Sequence, residues 1–158
     1  MTDASFEDGR EAPLNLGALD AADLEVMSSL VQDAVFPVTE MRWNSKHRRF
    51  ALLVNRFRWE DAEAAERRAR GYERVQSLLV FENVLKVASQ GVDRSDPDLI
   101  LSLMAIDFEP GAEVDGDLVL TLAGDGAIRL SVEALEVSMR DVTRPYLAPS
   151  GKAPDHGE

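Results

Sequence analysis

The chain contains no cysteine. Disulfide bridges, thiolate metal sites and a cysteine nucleophile are therefore excluded, and the absence fits a reducing compartment. Histidine is scarce too: His47 falls in an expected hairpin turn and His156 near the end of the sequence. Neither position offers the packing that holds a general base within reach of a substrate, so a serine–histidine pair is not expected. Long apolar runs are also missing. The longest apolar-rich stretch, LILSLMAI at residues 99–106, is far short of the roughly 20 residues of a membrane-spanning helix. The opening MTDASFEDGREAP lacks the apolar core of an export signal, and the expectation is a cytoplasmic protein without membrane contact.

Basic charge is in short supply, with 17 Lys and Arg against 29 Asp and Glu, for a net charge of -12. It is also unevenly spread. Residues 42–74 hold ten basic side chains against five acids, a local +5, while the remainder carries seven against twenty-four. Such segregation speaks to association and solubility rather than to fold. What remains is ordinary for a globular chain of 158 residues, 45% hydrophobic and 29% charged, enough for one domain with a real core.

Residues 1–17 and 144–158, rich in Pro, Gly and charge, are expected to be flexible, leaving one globular domain at 18–143. In DAADLEVMSSLVQDAVFP, Asp20 suits a helix N-cap, Leu24, Met27, Leu30, Val31 and Ala34 recur at helical spacing, and Pro37 is the expected stop. FPVTEMRW and RRFALLVNRFRW flank NSKHR as a hairpin. In its second arm Phe50, Leu52 and Val54 share a face that Arg56 and Arg58 continue, predicting a covered strand whose charged end emerges into solvent. EDAEAAERRARG reads as a short exposed helix or connection. Strand signals follow in YERVQSLLVF, VLKVASQGV and DLILSLMAIDF, then a hairpin in GDLVLTLAGDGAIRLSV, whose AGDG supplies the positive-φ residues of a tight turn. Over residues 132–142 a strand re-aimed by a bulge near Ala134 competes with a helix. The expected fold is α+β and mainly β: an N-terminal helix on a curved antiparallel sheet or partial barrel of about seven strands.

Trp43, Asn55, Arg56, Arg58 and Trp59 are the candidate contact residues for a partner or ligand. Arginines interleaved with aromatics are what a nucleic-acid platform uses, but a body this acidic repels a polyanion. The alternative is that the rings are core and the arginines pair with the surplus carboxylates. Acidic side chains gather in DRSDPD and EPGAEVDGD without the spacing of a calcium loop, so no metal or other cofactor is expected. Asp107 and Glu136, on otherwise apolar strands, are the carboxylates to inspect for catalysis, although no spacing marks them as a pair.

Together DLEVMSSLVQDAVFPVTEMRW, RRFALLVNRFRWE, ERVQSLLVFENVLKVASQGVD, LILSLMAIDFEP and GAIRLSVEALEVSMRDV resemble a bacterial family known as domain of unknown function 2948. The resemblance spans roughly residues 16–145, and its most distinctive pieces are Gln32 with Asp33 and the run from Asn55 to Glu60. It implies a single domain and brings no activity, cofactor or catalytic residue. The leading expectation is a non-enzymatic protein that acts through contact with a protein partner or as a homodimer. A small-ligand binder or carboxylate enzyme with a pocket at the Arg/Trp-rich strand is the alternative, and nucleic-acid binding ranks last.

Overall fold

The computed structural model describes residues 13–61 and 73–147. Its one helix among these, α1 (Ala21–Leu30), starts where Asp20 holds extended backbone and its carboxylate accepts the Asp23 N–H at 2.8 Å. Leu24 and Met27 face the core. The helix ends at Leu30, earlier than its apolar spacing predicts. Asp33 adopts φ 65°, a left-handed turn that breaks the helical path, and the next residues form strand β2 (Ala34–Pro37). Pro37 therefore ends a strand, and Ala34 belongs to the sheet rather than the helix.

All strand pairs are antiparallel. β1 (Asn15–Ala18) precedes the helix, drawn from residues the sequence assigned mostly to the N-terminal segment. A 3-10 turn, Val38–Glu40, separates β2 from β3 (Met41–Asn44), and both lie along the same edge of β4 (Arg49–Phe57). β3 and β4 form the expected hairpin around residues 45–48. Then come β5 (Glu73–Phe81), β6 (Val84–Gln90), β7 (Ile100–Pro110), β8 (Gly116–Leu122), β9 (Ala127–Val132), β10 (Val137–Asp141) and the short β11 (Tyr146–Leu147). The β8–β9 turn uses Gly124 at φ 81° and Asp125 at φ 69°, as the sequence predicts. Eleven strands replace the expected seven, because several are too short to register as alternation. Of EDAEAAERRARG, residues 60–71, the first two belong to the 3-10 turn Trp59–Asp61, and the rest of the expected helix lies outside the described residues.

The order along the sheet is β1-β10-β5-β4-β2-β7-β8-β9-β6, with β3 and β11 added to β4 and β5. A pair of corners bends it. Residues 133–136 separate β9 from β10, so the stretch 132–142 is neither helix nor one bulged strand; a four-residue corner does the re-aiming. It lies against the β5–β6 corner, where Asn83 has φ 60°, through Glu82 N–H to Glu136 O and Glu133 N–H to Asn83 O, both at 2.9 Å. The β5–β10 ladder thereby passes into the β6–β9 ladder, and the sheet curls around one core. Leu52, Leu79, Leu103, Leu120, Leu130 and Met139 are wholly buried in it. Among the described residues no helix is long and apolar enough to cross a membrane.

Candidate functional site

Alternation along β4 puts Phe50, Leu52, Val54 and Arg56 on the core face. Arg56 is 0% exposed and Arg58 is buried beside it, so the charged end of this strand turns inward; the expectation that it emerges into solvent is overturned. The cause is a set of acceptors assembled from distant segments. The 3-10 turn Trp59–Asp61 folds Glu60 back under the strand, and both its oxygens accept from Arg56, Oε1 from Nη1 and Oε2 from Nη2, each at 2.9 Å. Ser77 on β5 accepts from Nε at 2.8 Å. Asp141 at the end of β10 accepts from Nη2 at 3.0 and 3.2 Å, and the Ser77 hydroxyl donates to it at 2.7 Å. Its Oδ2 also takes the Leu14 N–H at 2.9 Å, tying the start of the described chain to the same cluster.

Burial by itself lowers the pKa of Arg56, but the hydrogen bonds and charges of Glu60 and Asp141 outweigh it and leave the guanidinium above its ordinary value. It is charged and fully committed. Arg58 pairs with Glu73, lies 3.9 Å from Glu60, and donates its backbone N–H to the Glu73 carbonyl at 2.9 Å. The Trp59 indole donates to the Gln32 carbonyl at 3.0 Å, and its ring meets Phe57 edge-on at 4.6 Å. Asn55, on the opposite face, donates to the Tyr146 hydroxyl, while its buried Oδ1 has no hydrogen-bond partner. The outer arginines of the strand are paired as well, Arg48 with Glu133 and Arg49 with Glu82. All four guanidiniums thus meet carboxylates, which is the alternative the sequence left open.

Trp43 stands apart from this group. It pairs with Phe50, about 20 Å along β4 from Arg56 at the usual rise per residue. Its indole, 38% exposed, walls a separate cavity of about 110 Å³ between the β3–β4 hairpin and β6. Val38, Met41, Phe50, Val87 and Ile128 line the apolar part, with Ser89 and Arg94 at the polar part. β3 pairs only with β4 and β6 only with β9 among the described residues, so each leaves one edge without a strand partner. The opening is fixed at two points: Val84 N–H to Arg48 O at 2.8 Å, and Val38 N–H to Leu99 O at 2.9 Å.

A sequence model described as "Protein of unknown function (DUF2948)" matches residues 14–156. The chain belongs to this family. No curated protein and no solved structure matches it.

In this DUF2948 domain, then, Asn55, Arg56, Arg58 and Trp59 sit at one end of β4 and Trp43 at the other. Ser77, Asp141 and Arg94 went unmarked by the sequence, since nothing local distinguishes a serine inside an apolar strand or an aspartate ending one. Asp107 and Glu136 are both exposed and lie on different elements. Asp107 belongs instead to a shallow groove of about 480 Å³ between α1 and β7, with Glu25, Ser29 and Gln32. Asp93 accepts both the Ser95 hydroxyl and its N–H, which hold the carboxyl below its ordinary range. Among the described residues of the DUF2948 domain, no three acidic or histidine side chains converge as metal ligands.

Proposed function

We propose that this domain is a non-enzymatic protein-interaction module that works through the opening between the β3–β4 hairpin and β6, binding a protein partner or a second copy of itself. The observation that carries this reading is the pair of strand edges that have no strand partner among the described residues, beside a half-exposed tryptophan. An open edge offers unpaired N–H and C=O groups to another chain, and an aromatic ring at its side is a common anchor. The committed state of Arg56 weighs against a ligand pocket at the Arg/Trp-rich strand, because its donors already have acceptors. The same pairing weighs against phosphate recognition, where free guanidiniums are needed.

Light scattering after size exclusion, at low and high salt, tests the proposal alongside affinity retention from lysate with mass spectrometry. The expected result is either a two-chain mass or a stoichiometric protein complex, lost in Trp43→Glu, whose side chain is already part exposed. A strict monomer that retains nothing beyond what Trp43→Glu retains refutes it.

A further inference from the structure

The chemistry of the opening narrows what it accepts. Its cavity, about 110 Å³, is smaller than the ~150 Å³ apolar cavity that takes benzene, so it suits a valine- or leucine-sized group rather than a ring. Arg94 lines the same cavity from the loop joining β6 to β7. Two of the loop's three acids are bonded within their own turns, Asp93 by Ser95 and Asp96 by the Asp98 N–H at 3.0 Å. Arg94 itself has no hydrogen bond or ion pair among the described residues. An apolar hole with an uncommitted cation at its rim, beside an open strand edge, matches three features of one ligand: a small aliphatic side chain, a carboxylate and an extended backbone.

We infer that the opening binds the C-terminus of a protein partner, an extended segment lying along β6 that ends in valine or leucine with a free carboxylate. The inference rests on the interaction reading above and specifies its partner. The last side chain fills the cavity against Phe50 and Trp43, and the carboxylate meets Arg94. β6 is seven residues long and its first, Val84, already bonds Arg48, so about 20 Å of edge remains, enough for five or six residues of the partner. The net charge of -12 favours basic over acidic residues upstream of that terminus.

The test is fluorescence anisotropy with the full chain and a labelled hexapeptide of alternating lysine and threonine ending in leucine. Saturable binding is expected, weakened about 10–100-fold by C-terminal amidation, the range of a charge-assisted hydrogen bond. Arg94→Gln, at an exposed position, should weaken the free acid by the same factor and leave the amide unchanged. Val87→Phe, which fills the cavity, should abolish binding of both while circular dichroism shows a folded chain. Equal binding of acid and amide, or indifference to Arg94→Gln, overturns the carboxylate assignment while leaving the interaction reading intact. Absence of binding by every form overturns the inference, and the light-scattering and retention experiment still judges the interaction reading separately.

Discussion

Replacing Arg56 by methionine keeps the length and apolar stem of the side chain and removes only its charge and donors. Asp141, whose side chain is 5% exposed, then keeps the Ser77 hydroxyl and the Leu14 N–H but loses its cation. Glu60 is 29% exposed and can turn to water, so the cost concentrates on Asp141. Breaking one partner of a buried ion pair costs about 3–5 kcal/mol. For a domain of this size that lowers the melting temperature by roughly 6–20 °C. Arg49→Met is the control, because its pair with Glu82 is exposed and pairs of that kind are worth about 0–1 kcal/mol. Urea unfolding followed by circular dichroism measures both variants. The double variant Arg56→Met/Asp141→Asn should recover about 1–3 kcal/mol relative to the sum of the singles, since the two residues share one network. If Arg56→Met costs no more than Arg49→Met, or if the double variant is additive, the buried pair does not organise this end of the sheet.

Asp20→Ala should cost about 1 kcal/mol in urea unfolding through the lost N-cap, and Asp20→Ser should be close to neutral; equal losses would deny the cap its role. Ser95→Ala should raise the Asp93 carboxyl pKa toward its ordinary value in an NMR titration. Because the folded-state value is depressed, the stabilisation is present above the unfolded pKa and fades as pH falls through the folded one. An unchanged titration curve would reject the hydroxyl as its cause.

The strands with long alternation were legible: the Phe50–Val54 face, the AGDG hairpin and the curved antiparallel class all follow from period two and turn chemistry. The end of the helix was not, because Val31 and Ala34 fit either a continuing helix or the core side of a strand, and only the left-handed Asp33 decides between them. Local pattern also misjudged Arg56. Charge at the end of an apolar face normally means solvent, and the acceptors that reverse this rule include Ser77 and Asp141, which share no sequence neighbourhood with it. Composition alone groups Trp43 with Trp59, whereas the hairpin register sends them to opposite ends of β4. Nothing local marks Arg94, because its relevance depends on a loop meeting a cavity built from β3, β4, β6 and β9.

Asp141 follows Arg56 by 85 positions. On a ribosome working at roughly 5–20 residues per second, the arginine is made about 4–17 s before its distant counter-ion exists. During that interval β4 and β5 can zip together and Glu60 and Ser77 can already meet the guanidinium, but its bonds to Asp141 are still missing. Arrival of β10 therefore completes the cluster, since Asp141 joins Arg56, Ser77 and Leu14 in one step.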